Sequence, residues 1–152
     1  MPVTFEPVSG QFEGRVHLLP VRVYYEDTDM SGIVYHANYL KFFERGRSDF
    51  LRCVGIHHAA LLARDPPLAF AITAIDVKFK TAARIDDGLV VHTSFDFLKG
   101  LRLGITQKIM RQNDLIATAI VEAVCIDLQG KPRRPFAELG ILLRDYFIER
   151  PS

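Results

Sequence analysis

The chain has 152 residues, 49% of them apolar, and a formal net charge of +1. This length favours a single domain with a sizeable core, and 11 Phe and 5 Tyr argue against disorder. The near-neutral charge gives no support to nucleic-acid or membrane-surface binding, which usually shows as a basic excess. The sequence has neither the pattern of a secretory signal nor a membrane-length apolar run. We therefore expect a soluble, cytoplasmic protein without a membrane span.

The two cysteines are far apart, and neither belongs to a CxxC pair. We expect Cys53 and Cys125 to be buried small hydrophobes rather than parts of a disulfide framework. No set of residues has metal-ligand spacing, since Asp27, Asp29 and His36 would make a poor cluster. The sequence therefore predicts no metal site and indicates no cofactor.

The first half of the chain predicts a strand, a polar loop and a long helix. Residues 1–17 carry two prolines and two glycines, which indicates a loose N-terminal extension. Alternating side chains predict a strand from Leu18 to Tyr25, and the polar run from Glu26 to Gly32 ends it. A helix is predicted from about Asn38, its cap, to Cys53. The stripe that this helix should bury comprises Tyr39, Phe42, Phe43, Gly46, Phe50 and Cys53. A short second helix is plausible from His57 to Arg64.

The second half predicts strands joined mostly by tight turns, which require antiparallel neighbours. The predicted strands are Ala69 to Lys80, Leu89 to Leu98, Leu101 to Ile109 and Leu115 to Leu128. A single striped helix must bury its stripe against such a sheet. The fold class is therefore α+β, with a five-stranded antiparallel sheet curled around one long central helix over residues 18–135. Residues 136–152 form a tail predicted to be helical from Phe136 to Ile148. The edge strands of this sheet favour a homodimer at least.

The densest functional signal is the segment from Tyr24 to Tyr39, which places carboxylates, a histidine and tyrosines just before the long helix. Free backbone N–H groups at a helix N-terminus can stabilise an oxyanion, and an adjacent Asp can act as nucleophile or base. Asp27 and Asp29 fit this role almost equally well, and both are also ordinary turn residues. His36 could orient substrate or simply cap the helix. His57 and His58 are interpreted as solvated or structural.

Other catalytic patterns are absent from the sequence. It contains no GxSxG elbow, which excludes that form of a Ser/His/Asp triad. The run from Gly100 to Gly104 is not a GxGxxG phosphate loop.

The segment resembles a known family. The runs Val21–Asp29, Gly32–Leu40 and Phe43–Arg45, together with Arg47, closely resemble the YbgC-like acyl-CoA thioesterases of the 4-hydroxybenzoyl-CoA thioesterase group. The resemblance covers about residues 18–135 and implies the hotdog fold. It also implies that Asp29 is the catalytic carboxylate, with Tyr25 and His36 as partners. Family members form dimers and often tetramers, with active sites at the subunit interface, and the YbgC branch is often associated with the Tol-Pal system.

The resemblance implies hydrolysis of acyl-CoA to free acid and CoA. The thioester carbonyl would lie over the helix N-terminus, positioned by Gly32, Val34 and Tyr35, while Asp29 attacks it or activates water. The cations proposed to meet CoA phosphates are Lys78, Lys80, Arg84 and Arg133, with Lys99, Arg102, Lys131 and Arg134 as further candidates. The alternatives are a hotdog hydratase or dehydratase, a non-catalytic acyl-thioester binding module and a Tol-Pal adaptor. An acyl carrier protein could replace CoA as the donor.

Overall fold

A computed structural model describes residues 5–149. Residues 1–4 and 150–152, the outermost parts of the predicted extension and tail, lie outside the described residues. The strands are β1 (Gln11–Glu13), β2 (Val16–Arg22), β3 (Ala69–Phe79), β4 (Gly88–Lys99), β5 (Arg102–Arg111) and β6 (Asp114–Ile126). The helices are α1 (His36–Cys53), α2 (His58–Leu62) and α3 (Ala137–Leu143). Within residues 5–149, no helix combines the length and apolar character that crossing a bilayer requires.

Among residues 5–149, the sheet is antiparallel and has six strands in the order β1-β2-β4-β5-β6-β3. The predicted α+β class is confirmed, but the predicted count of five strands is short by β1. This strand has three residues and pairs with β2 across a turn at Gly14, which adopts a φ of +63°. Three residues are too few to show a period-two pattern, so no sequence signal indicates this strand.

The long helix packs its predicted stripe against the sheet. Tyr39, Phe42, Phe43, Gly46 and Phe50 are buried, as expected. A Cβ on Gly46 would lie 2.7 Å from Cγ1 of Val91, so the missing side chain lets the helix approach β4 closely. The helix begins at His36 rather than at Asn38. Cys125 is buried, but Cys53 is exposed, which corrects the expectation that both thiols are buried.

Both ends of the described chain reach the core through aromatic contacts. The ring centroid of Phe50 lies 4.9 Å from that of Phe12 and 5.7 Å from that of Tyr146. The predicted C-terminal helix is shorter than expected, because the chain leaves α3 after Leu143 and bonds to β4. The N–H of Ile148 donates to the carbonyl of Phe95 at 3.1 Å. The segments around Phe12 and Tyr146 therefore pack on the same core as α1.

Candidate active site

The acidic loop (Glu26–Gly32) joins β2 to α1, and its first carboxylate holds the loop together. Asp27 is buried, and its Oδ2 accepts the N–H of Tyr24 at 2.8 Å. The carbonyl of Asp27 accepts the Tyr35 N–H at 3.0 Å and the Asn38 side-chain amide at 2.8 Å. Asn38 therefore ties the helix to the loop instead of capping the helix. A buried carboxylate with this role is structural.

Asp29, the second carboxylate, is exposed to solvent. Its Oδ1 accepts the backbone N–H of Ser31 at 2.8 Å and also the Ser31 hydroxyl. These two hydrogen bonds favour the ionised form and hold the pKa of Asp29 below its usual value. Gly32 has a φ of +77°, a conformation that favours glycine and that closes the turn beyond Asp29. The loop thus presents an oriented, ionised carboxylate that solvent and ligands can reach.

A second segment, Ala83–Asp87, supports the acidic loop from the β4 side. The N–H of Val34 donates to the carbonyl of Ala83 at 2.8 Å, and the Ala83 N–H donates to the Tyr39 hydroxyl at 3.0 Å. Burial raises the pKa of Tyr39, which keeps its hydroxyl protonated. Arg111 pairs with Asp87 at 2.8 Å and donates to the carbonyl of Ala82 at 3.1 Å. The position of Asp29 therefore depends on contacts that reach across the sheet.

The backbone N–H groups of the three residues expected to position the thioester are already engaged. The N–H of Gly32 donates to Asp29 O at 3.1 Å, that of Val34 to Ala83 O, and that of Tyr35 to Asp27 O. The first N–H groups of a helix have no intrahelical acceptor. Since α1 begins at His36, the N–H groups of His36 and Ala37 are in this position, and neither has a hydrogen bond to another group of residues 5–149. Of the N–H groups from Val34 to His36 that were expected to polarise the thioester, that of His36 is therefore available, and Ala37 supplies a second.

Tyr25 and His36 lie at either end of the loop, and both are exposed. The ring of His36 contacts Tyr35, with centroids 4.5 Å apart, and lies 6.3 Å from the ring of Phe79 at the end of β3. Within the described residues, no hydrogen bond links the side chains of Tyr25, Asp29 and His36. The chain therefore brings these residues to one region of the surface without joining them into a network.

The predicted CoA-binding cations lie at two different ends of the sheet. Arg84 is next to the acidic loop, since it forms a β-bridge with Ile33. Lys78 and Lys80 flank Phe79 in the sequence, but Lys78 points to the opposite face of the sheet, where it lines a cavity with Asp76 and His92. Arg133 lies beyond β6 and pairs with Asp127 at 2.8 Å. It is at the hairpin end of the sheet (Lys99–Arg102 and Asp127–Arg133). The ten residues of β5 separate this end from the loop by about 30 Å.

Sequence reasoning missed the residues that support the loop from outside it. Arg111 and Asp87 carried no distinctive motif, and Tyr39 was expected only as a buried residue of the helix stripe and as part of the family run. Arg111 and Asp87 are 24 residues apart, so no local pattern could connect them.

Comparison with known proteins agrees with this fold and loop. Residues 23–139 match the family described as the thioesterase-like superfamily. The chain belongs to this family. An acyl-CoA thioesterase YbgC of Haemophilus influenzae is 42% identical over 109 residues, 72% of this chain and 79% of that protein. The YbgC acyl-CoA thioesterase of Helicobacter pylori is 39% identical over 131 residues, 86% of this chain and 85% of that protein.

A solved structure gives the same result. The crystal structure of a probable thioesterase from Bartonella henselae has a TM-score of 0.77 and 41% identity. The match covers 80% of this chain and 99% of that one. The hotdog fold expected from the sequence is therefore confirmed.

Proposed function

We propose that this thioesterase-family protein hydrolyses acyl-CoA thioesters to a free acid and CoA. The observation that carries the proposal is the pairing of an exposed, ionised Asp29 with two free N–H groups at the start of α1. Acyl transfer to water needs a nucleophile or base and a site for the oxyanion, and this loop offers both within one turn and a helix N-terminus. The names of the YbgC relatives, which specify acyl-CoA thioesters, support the same activity.

In the proposed reaction, the thioester carbonyl oxygen binds the N–H groups of His36 and Ala37. Asp29 attacks the carbonyl carbon, the C–S bond breaks, and the thiolate of CoA leaves and takes a proton from solvent or His36. Water then hydrolyses the mixed anhydride, which releases the acid and restores Asp29. The alternative is that Asp29 removes a proton from an attacking water. The lowered pKa of Asp29 favours its ionised form, which both routes require.

A chemical trap and an isotope label separate these two routes. Direct attack forms an acyl-Asp29 anhydride, which hydroxylamine can trap, and it allows oxygen-18 from water to enter Asp29 in a single turnover. General-base catalysis places the label in the released acid and leaves Asp29 unlabelled and untrapped.

A substrate panel tests the proposed reaction itself. Acyl-CoAs from short-chain to long-chain and aromatic are assayed for thiol release, and at least one should show saturable turnover. Hydration of an enoyl-CoA without thiol release would identify the hydratase alternative. Binding of acyl-CoA without release from any member would identify a binding module.

Removing the Ser31 hydroxyl is expected to shift the pH profile. The carboxylate is the active form, so activity is present above the lowered pKa of Asp29 and is lost as pH falls through it. Ser31→Ala deletes one hydrogen bond to Oδ1, which raises that pKa. The acid limb of kcat/KM should therefore move to higher pH, while the rate at neutral pH changes little. A profile that keeps its acid limb in place would show that Asp29 does not govern it.

The active unit is proposed to be a dimer formed through β3. This strand lies at the edge of the sheet, where Ile72 and Phe79 are 44% and 50% exposed. Antiparallel pairing of β3 with its copy would place the start of the partner's strand beside the end of this one. The partner's hairpin end, with its cations, would then approach the acidic loop. Arg133 and Asp29 lie far apart within one chain. In this arrangement, Arg133 of one subunit could bind the phosphates of a CoA held near Asp29 of the other.

A charge on the edge strand is expected to separate the subunits. Ile72→Glu would place an unpaired carboxylate in the proposed interface, so the molecular mass measured by light scattering should fall to that of a monomer, and acyl-CoA hydrolysis should fall with it. Ile141→Glu on α3 is the matched control, since Ile141 is 61% exposed and lies on another element. A dimer that survives Ile72→Glu, or one that Ile141→Glu dissociates, would contradict pairing through β3.

The finer expectations stay predictions. They are assembly of two dimers into a homotetramer, a cytoplasmic location, an association with the Tol-Pal system, and use of acyl carrier protein as a donor. The acyl-CoA panel repeated with acyl carrier protein thioesters would test the last of these.

A further inference from the structure

A cluster of metal-ligating side chains near the C-terminal end of α1 takes no part in the proposed hydrolysis. Nε2 of His17 on β2 lies 2.8 Å from Oδ2 of Asp49. Sγ of Cys53 lies 3.6 Å from that nitrogen and 3.7 Å from that oxygen. Asp49 and Cys53 are four residues apart, so α1 presents both on one face. His17 is 32 residues from Asp49, which is why sequence spacing predicted no metal site.

We propose that His17, Asp49 and Cys53 bind a divalent transition-metal cation, zinc in particular. Tetrahedral zinc with ordinary bond lengths separates its ligands by about 3.6 Å for nitrogen and sulfur, about 3.6 Å for oxygen and sulfur, and about 3.4 Å for nitrogen and oxygen. Two of the three observed distances already match these values. The third needs the His17–Asp49 hydrogen bond to lengthen by about 0.6 Å as the cation replaces the shared proton. Solvent would occupy the fourth position.

The ligands can reach the protonation states that the cation needs. Nδ1 of His17 is buried and has no partner within the described residues, and it takes the ring proton when Nε2 binds metal. The proton of the Cys53 thiol passes to solvent, so each cation bound releases one proton.

Two features limit the affinity of the site. The His17 ring packs against aromatic rings, among them Phe12 with its centroid 5.3 Å away, and within the described residues no acceptor meets its Nδ1. The charge of Arg52, which acts on the Cys53 thiol, repels a cation. We therefore expect binding weaker than that of a closed four-ligand structural zinc site, with exchangeable metal.

Cobalt titration of the full-length, reduced protein tests the site directly. Co²⁺ bound by Cys53 should produce a thiolate-to-cobalt charge-transfer band, and competing Zn²⁺ should remove it. Cys53→Ala should abolish the band, while Cys125→Ala, which changes the buried thiol, should leave it unchanged. Asp49→Asn should weaken Zn²⁺ binding by more than about tenfold, since loss of a residue that only supports a ligand already costs 10- to 100-fold.

His17 is fully buried, so its mutation could unfold the protein, and the test therefore leaves it unchanged. Circular dichroism first confirms that the Cys53 and Asp49 variants are folded. Absence of the band in the unmodified protein would overturn the proposal, as would a band that persists in Cys53→Ala or disappears in Cys125→Ala. The acyl-CoA assay is independent of this result, so failure of the metal site leaves the proposed hydrolysis untouched.

Discussion

Asp29→Asn is expected to lower kcat/KM for the preferred acyl-CoA by about 10³-fold, within the range typical of a lost acid–base group. Asparagine keeps the shape of the side chain and one acceptor for Ser31, but it can neither attack a thioester nor take a proton from water. Asp29 is exposed, so the variant should keep its melting temperature. Steady-state thiol release and a thermal melt measure the two quantities.

Asp27→Ala is the matched control for this experiment. It removes the acceptor of the Tyr24 N–H, so we expect a loss of about 1 kcal/mol of stability, as for other lost capping carboxylates. Activity should fall less than in Asp29→Asn. Substantial hydrolysis by the Asp29→Asn protein would contradict the assignment of the chemistry to Asp29. An Asp27→Ala protein that is stable but inactive would contradict it as well.

The contrast between these two residues shows what the sequence could predict about the site. Composition and turn patterns placed both carboxylates before a helix, and the family resemblance selected Asp29. Burial now gives a physical reason for that selection, because the Asp27 carboxylate is buried against the Tyr24 N–H, whereas the Asp29 carboxylate is exposed to solvent. The start of the helix was predicted two residues too late, at about Asn38 instead of His36. Val34, just before this start, donates to the carbonyl of Ala83, a partner that no local pattern reveals.

In the fold too, elements with a local sequence pattern could be predicted, and features set by long-range packing could not. Helix α1 and the four long strands were predictable because each repeats a pattern over ten or more residues. The strand β1, the exposure of Cys53 and the course of the chain after Leu143 were not. Each depends on packing between segments that are far apart in sequence, such as Phe12 against Tyr146.

The second large effect is expected at the residue where these distant segments meet. Phe50→Ala should lower the free energy of unfolding by about 3–5 kcal/mol, the usual cost of removing a fully buried aromatic ring. The ring stacks on Phe95 of β4 with centroids 4.4 Å apart and contacts Phe12 and Tyr146 at its edges. Urea denaturation at a fixed protein concentration measures the loss, and Leu62→Ala, at a half-exposed position on α2, should change stability by no more than about 0.5 kcal/mol.

The size of the Phe50 effect also tests whether both termini belong to the folded core. Without the ring, Phe12 and Tyr146 lose a shared neighbour, so the cost includes part of the docking of both chain ends. Phe12→Ala in the Phe50→Ala background should then cost less than Phe12→Ala alone, because residues that share a contact are not additive. Equal costs in the two backgrounds would mean that the N-terminal segment is held by other contacts. Such a segment would be the loose extension that its prolines and glycines first indicated.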